Sequence, residues 1–337
     1  MNLLENAQKM KSQTFGVEIE MGKISKELVA KIICDYYNQK YGCNNQPHYH
    51  GGYYEEWHAY DNQGRKWKCM NDGSSSGRLG HITCEMVTPI MFYEDIEDLQ
   101  QITRILRQNG ARSGNDYNAG VHIHIGANFD EVGGQNATTI RHLVNVVANH
   151  EKLINKAVSV TDSRHQRWAQ DVERNFLRKL NEEKPTTKKG LGSIWYGSES
   201  YYNAIIRDPH GNHYDSSRYH LLNLHALFTK GTIEFRCFEF KRGLHAGELK
   251  AWIQLCMAMC SYAKMITRSK YAPIDMANEK YAMKNWLNNL GLVGDEFKTA
   301  RIVFEKRLMG DCAVKSGRSY GDLDNLIYSQ SYAGMNE

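Results

Sequence analysis

The sequence lacks the features of a membrane protein or of a disulfide-stabilised secreted protein. No segment approaches about 18 consecutive apolar residues, which is the length that a membrane-spanning helix requires. The N-terminus has no apolar core behind a basic start. The eight cysteines include no CxxC pair, so we expect reduced thiols in the core. We therefore predict a soluble, cytoplasmic protein that has no membrane partner.

A strong excess of charge of one sign is also absent. The chain has 42 Lys and Arg against 38 Asp and Glu, with a formal net charge of +4. No concentrated basic block of the kind that binds nucleic acid occurs, so we expect no nucleic-acid partner. With 337 residues, of which 41% are hydrophobic, the chain can bury a sizeable core. This charge balance fits a protein that binds an anionic small molecule better than it fits a protein that binds DNA.

Two motifs of common enzyme classes are missing or lie in the wrong context. No GxxxxGK[ST] sequence occurs, so any use of ATP would need a site other than a P-loop. The segment GSSSG at 73–77 fits the GxSxG pattern of serine hydrolases. A nucleophile elbow needs a helix after it, however, and a strand-like segment follows here. This context argues against a serine hydrolase.

Three predicted strands carry pairs of charged or ionisable side chains on one face. In a strand, alternate side chains point to opposite faces. The strands are FGVEIEM at 15–21, AGVHIHIG at 119–126 and TIEFRCFEF at 232–240. Their paired residues are Glu18 and Glu20, His122 and His124, and Glu234 and Arg236. A fourth strand, predicted over 81–90, places Glu85 within a similar apolar run.

This set of residue types indicates a metal site better than it indicates a solvated sheet face. Half-exposed antiparallel strands alternate by default, but their outer positions usually carry Thr, Lys, Ser or Gln. Four carboxylates on one surface repel each other unless cations lie among them. Oxygen-rich sites suit Mg²⁺ or Mn²⁺, and Mn²⁺ in particular tolerates an imidazole. The arginine suggests that a phosphate or carboxylate binds beside the metals.

The remaining pattern predicts helices around these strands and one long irregular segment. Helical spacing occurs at 25–42, 94–110, 138–158 and after 244, and a hairpin is predicted around 62–64. The segment 161–217 has looser patterning, and we interpret it as a lid or substrate loop. We expect its basic residues to contribute to the choice of substrate. These are Arg164, Arg167, Arg174 and Lys188.

The order and spacing of several motifs resemble the amidoligase family, whose members are carboxylate–amine ligases related in fold to glutamine synthetase and glutamate–cysteine ligase. The segments are FGVEIE, NDGSSS followed by CEMVTP, NAGVHIHIG, and RYHLLNL followed by GTIEFR. The resemblance covers roughly residues 13–260. It implies an α+β fold in which a glutamine-synthetase-like curved antiparallel sheet forms a funnel-shaped active site and packs against helices. We expect a catalytic domain at 1–265, with 161–217 as an insertion, and a C-terminal helical extension at 266–337.

The resemblance also implies roles for individual residues. Glu18, His122 and Glu234 would hold a metal that bridges the ATP phosphates, and Glu20 with Glu85 would hold a metal near the acceptor carboxylate. Arg236 would neutralise the transferred phosphoryl group. The other positions are His124 for phosphate contact or support of the metal ligands, Arg218 for the carboxylate substrate or phosphate, and Asp72 for substrate or amine handling.

The implied reaction is ATP-dependent formation of an amide or peptide bond through an acyl phosphate, with Mg²⁺ or Mn²⁺ and release of ADP and phosphate. A base must deprotonate the amine, and Glu56 and Asp72 are both candidates. Asp72 matches the aspartate of the family's DGS motif. Two alternatives stay open: a metal-dependent hydrolase that uses the same Glu and His cluster, and a catalytically inactive ligand-binding relative. The carboxylate and amine could belong to a small molecule, a peptide or a protein side chain, and the sequence does not predict the oligomeric state.

Overall fold

The computed structural model describes residues 3–71, 83–241 and 243–313. Its strands are β1 Phe15–Met21, β2 His48–Gly51, β3 Glu56–Tyr60, β4 Lys66–Met70, β5 Cys84–Val87, β6 Val121–Gly126, β7 Leu222–Asn223 and β8 Thr232–Phe238. Its helices are α1 Leu3–Lys11, α2 Lys26–Tyr41, α3 Ile96–Gln108, α4 Ala137–Val158, α5 Asp162–Arg167, α6 Arg174–Glu183, α7 Lys188–Trp195, α8 Glu199–Arg207, α9 His225–Thr229, α10 Ala246–Met265, α11 Glu279–Asn289 and α12 Lys298–Glu305. Asp72 and the GSSSG segment lie outside the described residues.

The described strands form a single antiparallel sheet in the order β2-β3-β4-β5-β1-β6-β8-β7. The four strands that carry the predicted charged residues are therefore neighbours, in the order β5-β1-β6-β8. This arrangement confirms the combination of an antiparallel sheet with helices. It also brings together motifs that lie more than 200 residues apart in the chain.

One face of these central strands packs against helices to form the core. The apolar side chains between the charged positions, such as Ile19, Ile123 and Phe235, are completely buried. Helices α4 and α10 pack on this side, and Trp252 of α10 stacks on Phe238 with ring centroids 5.1 Å apart. Burial of each large apolar side chain stabilises the fold by roughly 1.5–3 kcal/mol. The core therefore fixes the direction in which the opposite, polar face points.

Local signals explain several element boundaries. The side chain of Ser25 caps α2 by accepting a hydrogen bond from the Leu28 amide at 3.2 Å. Gly42 ends this helix in the left-handed conformation, with φ of 72°. The predicted helix over 25–42 is thus confirmed.

The strand predicted over 81–90 is shorter in the structure than in the prediction. Within the described residues, β5 covers only Cys84–Val87.

The segment 161–217 is not the loop that the sequence pattern indicated. Helices α5 to α8 occupy most of it, and each begins at a side-chain cap. The caps are Thr161, Glu173, Thr187 and Ser198. Gly190 and Gly192 in α7 have poor helix propensity, and burial of Leu191 and Ile194 compensates for it. The residues from 208 to 215 do form an irregular connection. A lid or substrate role for the segment stays a prediction.

Helix α12 packs against α10, and α11 packs against α12. Glu248 of α10 accepts hydrogen bonds from Lys306 at 2.6 Å and from Arg307 at 2.9 Å. The division at residue 265 into a catalytic domain and an extension stays a prediction.

All eight cysteines are free thiols, and six of them are buried, as expected for reduced core residues. Among the described helices, none is long and apolar enough to cross a membrane.

Candidate active site

A cavity of about 910 Å³ opens on the polar side of the central strands. Most of the residues that the sequence singled out line it: Glu18, Glu20, Glu85, His122, Arg218 and Arg236. Glu234 and His124 are buried and contact these lining residues. Glu56, Lys68 and Tyr54 form part of the wall contributed by β3, β4 and the residues before β3. This volume lies in the range typical of small-molecule sites.

Strand register explains why these side chains meet. Directly opposite residues of an antiparallel pair share one face of the sheet. Three such pairs occur side by side: Glu18 with His122, Glu20 with Glu85, and His124 with Glu234. The period of two within each strand then places Glu18 beside Glu20, His122 beside His124 and Glu234 beside Arg236. The cluster thus follows from strand alternation together with strand order.

Glu18, His122 and Glu234 form a compact set of donor atoms suited to a metal ion. One ligand atom from each lies within 4.8 Å of the others. The His122 Nδ1 atom is 3.0 Å from Glu18 Oε2 and 3.7 Å from Glu234 Oε1. Two carboxylates and one imidazole are a donor set that Mn²⁺ and Mg²⁺ accept. The residues therefore fit the cation that the sequence predicts.

A second pair of carboxylates lies on the other side of His122. Glu20 and Glu85 are direct cross-strand partners, and like charges in this position destabilise a sheet unless a cation compensates. The His122 Nε2 atom is 3.9 Å from Glu20 Oε1, and the Gly120 amide donates a 2.5 Å hydrogen bond to Glu20 Oε2. The Gly120 amide thus holds Glu20 in place, and the pair offers carboxylate oxygens to a second cation.

Arg236 is held rigidly at the boundary of this cluster. Its NH1 group donates to Glu234 Oε1 at 2.5 Å, and its Nε donates to the Trp168 carbonyl at 3.2 Å. The guanidinium carbon also lies 5.8 Å from the centre of the Tyr219 ring. Both Arg236 and Glu234 are almost fully buried. A guanidinium in this position can bind an anion beside the metal ligands.

Burial and neighbouring cations together set the protonation states of the cluster. Burial by itself would raise the pKa of Glu18, but the Lys230 ammonium, 3.4 Å away, holds that pKa well below its usual value. Burial would likewise raise the pKa of Glu234, and the Arg236 guanidinium reverses this effect. Burial and the charge of Arg236 lower the pKa of His122 to about 3. At neutral pH the site therefore offers ionised carboxylates and a neutral imidazole, which are the forms that bind metals.

Three residues that the sequence analysis did not name as partners of the metal ligands or of Arg236 support these side chains. Asn223 donates a 2.6 Å hydrogen bond from Nδ2 to Glu234 Oε2, and it lies in the quoted RYHLLNL motif, which was a usable signal. Lys230 pairs with Glu18, but no motif marks it. Arg164 is buried and donates from Nε and NH2 to the Arg236 carbonyl at 3.1 and 2.8 Å. The sequence predicted Arg164 only as one of the basic residues of a lid or substrate loop that contribute to the choice of substrate, because α5 was not recognised as a helix.

Arg218 lies between two aromatic rings at the cavity. Its guanidinium carbon is 5.5 Å from the centre of the Tyr214 ring and 5.8 Å from that of Tyr219. Its NH1 group donates to the His213 carbonyl at 2.8 Å. Its buried Nε has no hydrogen-bond partner within the described residues. Arg218 also lines the cavity, so its guanidinium lies at the wall of the candidate site.

A family profile gives an independent test of the resemblance seen in the motifs. The profile described as "Putative amidoligase enzyme" matches residues 11–260, which is well over half of the chain. The chain belongs to this amidoligase family. Membership in it supports a ligase activity in general terms and confirms the resemblance predicted over residues 13–260. The matched range includes every described residue of the candidate amidoligase site, from Glu18 to Arg236, and it ends within α10.

Other comparisons with known proteins add little to this family assignment. No curated protein matches the sequence. Among solved structures, the amidoligase chain is similar to a bifunctional glutathione synthetase from Pasteurella multocida, with 9% sequence identity and a TM-score of 0.39. That alignment covers 100% of this chain and 52% of the synthetase. The chain thus spans about half the length of that protein.

Proposed function

We propose that this protein is an ATP-dependent carboxylate–amine ligase that forms an amide or peptide bond through an acyl phosphate, with release of ADP and phosphate. The observation that carries the proposal is the meeting of Glu18, His122 and Glu234 with Arg236 at one cavity. Membership in the amidoligase family supports the class of reaction. We further propose that the antiparallel sheet is the glutamine-synthetase-like funnel of such ligases, within a catalytic domain at 1–265.

The metal ligands would fall into two groups. Glu18, His122 and Glu234 would hold one Mg²⁺ or Mn²⁺, and Glu20 with Glu85 would hold a second. Bound divalent ions supply positive charge that offsets the β- and γ-phosphates of ATP and the developing charge of the transition state. The chain's contribution is to fix the ligands before the substrates arrive. For the first group, this is done by the hydrogen bonds that Glu234 accepts from Asn223 and Arg236.

In the first chemical step, an oxygen of the substrate carboxylate attacks the γ-phosphorus of ATP. The bond from that phosphorus to the β–γ bridging oxygen breaks, and ADP leaves with the bonding electrons. The Arg236 guanidinium can donate to the equatorial oxygens of the transferring group, while its other contacts hold it in place. His124 would support this region through its contact with Glu18, 3.2 Å away.

In the second step, the amine nitrogen attacks the acyl carbon and inorganic phosphate leaves. The nitrogen loses a proton to a base, for which Glu56 and Asp72 stay the two candidates. Glu56 lines the cavity and lies 3.0 Å from His58. Burial would raise the pKa of Glu56, but His58 and Lys68 reverse this and lower it, so the carboxylate is ionised at neutral pH. Arg218, which lines the cavity, would bind the carboxylate substrate or a phosphate.

The proposal is tested by incubating the purified protein with ATP, Mg²⁺ or Mn²⁺, pooled carboxylic acids and hydroxylamine. Hydroxylamine intercepts an acyl phosphate without knowledge of the natural amine. We expect a hydroxamate together with ADP, both detected by mass spectrometry, and their absence in the Glu234→Gln variant. Formation of AMP instead of ADP would contradict phosphoryl transfer, and metal-dependent hydrolysis without nucleotide would indicate the hydrolase alternative. Tight nucleotide binding without any product would indicate an inactive relative.

A further inference from the structure

A second cavity lies between α4, α6 and the residues that follow α10. Its volume is about 850 Å³, and it shares no lining residue with the candidate active site. Among the described residues, its lining contains six basic side chains and one carboxylate, that of Glu182. The basic residues are Arg141, Arg174, Arg178, Lys184, Arg268 and Lys270. The cavity is therefore strongly positive, in a protein whose overall charge is nearly balanced.

A network of asparagine side chains fixes the framework of this basic cavity. Asn145 of α4 is completely buried, and its Nδ2 donates to Asn181 of α6 at 2.8 Å and to Ser269 at 2.9 Å. Asn181 returns a 2.8 Å hydrogen bond to Asn145 Oδ1. One turn further along α4, Asn149 donates to the Lys270 carbonyl at 3.1 Å. Helix α4, helix α6 and the residues after α10 are thus joined before any ligand binds. This preorganisation reduces the conformational entropy that ligand binding would otherwise cost.

Only two of the six cations are neutralised by carboxylates. Arg178 pairs with Glu182, and Arg174 pairs with the buried Glu151. The other four form no ion pair within the part of the chain that the structure describes. The Nε of Arg141 is buried and has no hydrogen-bond partner there either. Several like charges around one concave volume repel each other, so an anion bound between them would relieve that repulsion.

We propose that the basic cavity binds a small phosphorylated molecule with at least two negative charges. Guanidinium groups match phosphate geometry through paired donors, and the hydroxyls of Thr267 and Ser269 in the lining add neutral donors. The Tyr271 ring, over which Arg174 lies at 5.2 Å, and Leu177 provide apolar surface for the rest of the ligand. The size of the cavity suits a small molecule. This site goes beyond the proposed ligase reaction and does not depend on it.

The test is a calorimetric titration of inorganic pyrophosphate into the full-length protein in buffer with EDTA. EDTA keeps divalent metals from recruiting pyrophosphate to the candidate active site. We expect one site, and we expect the Arg268→Glu/Lys270→Glu variant to bind at least about tenfold more weakly, because each charged hydrogen bond contributes roughly this factor. Both side chains are exposed, so the fold should persist by circular dichroism.

The matched control is the Arg104→Glu/Lys298→Glu variant, which changes the charge equally at two exposed helical positions outside both cavities. It should bind pyrophosphate as the parent does. Equal weakening in the two double variants would mean non-specific attraction and would overturn the proposal, as would no binding to the parent in the millimolar range. If a short oligonucleotide binds the parent more tightly than pyrophosphate does and loses that binding in the Arg268→Glu/Lys270→Glu variant, the ligand class is nucleic acid and the proposal is wrong.

Discussion

The Arg236 guanidinium and the Glu234 carboxylate, two residues apart on β8, form a buried 2.5 Å ion pair at the candidate active site. An exposed pair of this kind would contribute little to stability. Here both partners are desolvated, and removal of one charge would leave the other buried and uncompensated, at a cost of about 3–5 kcal/mol. This buried pair is explained if each partner also binds a group from outside the chain. On the proposed function, Glu234 binds a metal ion and Arg236 binds a phosphate.

Replacing Glu234 with glutamine should abolish turnover while the fold persists. Glutamine keeps the side-chain shape and can still accept a hydrogen bond from Arg236, but it removes the charge that a metal ligand needs. We expect turnover to fall by more than about 100-fold, which exceeds the usual effect of losing an outer hydrogen-bond partner of a metal site. The control is Glu248→Gln, another buried carboxylate with two cationic partners, which lies outside the cavity. It should change stability and not turnover; near-normal activity of Glu234→Gln would remove Glu234 from the metal ligands.

Replacing Arg236 with lysine should also slow the reaction strongly. Lysine keeps the charge but cannot reach Glu234, the Trp168 carbonyl and a phosphate at the same time, because it lacks the planar fork. We expect a fall in kcat of about 100-fold or more, comparable to the loss of one preorganised donor in other active sites. Arg65→Lys is the matched control, since Arg65 binds Asp61 and Asp95 outside the cavity. A lysine variant at 236 that is as fast as the parent would disprove the phosphate role.

Asn223 is predicted to act as a positioning residue for Glu234. Asn223→Ala removes the 2.6 Å hydrogen bond to Glu234 Oε2. Such outer partners typically contribute 10- to 100-fold to metal affinity, so we expect Mn²⁺, measured by electron paramagnetic resonance, to bind about that much more weakly. Asn38→Ala is the control, because Asn38 also donates and accepts one hydrogen bond, in its case with Asn45, near the end of α2. Equal Mn²⁺ affinity in the two variants would show that Asn223 has only a structural role.

Gly120 should not tolerate a side chain. A Cβ atom there would lie 2.1 Å from the Arg164 NH2 atom, so Arg164 would have to move from its contact with the Arg236 carbonyl. The Gly120 amide also holds Glu20. We expect Gly120→Ala to lower kcat/KM by about 100-fold, in line with the effect of small misplacements in other active sites. Gly16→Ala adds the same methyl group on β1 at an ordinary 3.8 Å contact, and it should be nearly neutral.

The sequence predicted the central part of the fold because strand alternation is a local property. The alternation around Glu18, His122 and Glu234 predicted which side chains share a face, and the register of β1, β6 and β8 confirms that they meet. The helices over 25–42 and 138–158 were predicted on similarly local grounds, and they agree with the structure. Strand order depends on contacts between distant segments, and the sequence analysis did not predict it.

The parts that the sequence did not predict depend on tertiary contacts. Helices α5 to α8 are short and contain unfavourable residues such as Gly190, so their stability comes from packing that no local pattern shows. Arg164 was therefore assigned to a lid or substrate loop, whereas in the structure its side chain is buried and donates to the Arg236 carbonyl. Lys230 contacts Glu18 across more than 200 residues, and no motif marks it. Asp72 lies outside the described residues, so its role in substrate or amine handling stays a prediction.

The most direct test of an acyl-phosphate mechanism is the fate of the carboxylate oxygen. A carboxylate identified by its hydroxamate would be labelled with ¹⁸O and incubated with the protein, ATP, Mg²⁺ and hydroxylamine. Because a carboxylate oxygen attacks the γ-phosphorus and leaves with it, one ¹⁸O atom should appear in inorganic phosphate for each hydroxamate formed. Label in AMP, or unlabelled phosphate accompanying the hydroxamate, would contradict the proposed reaction.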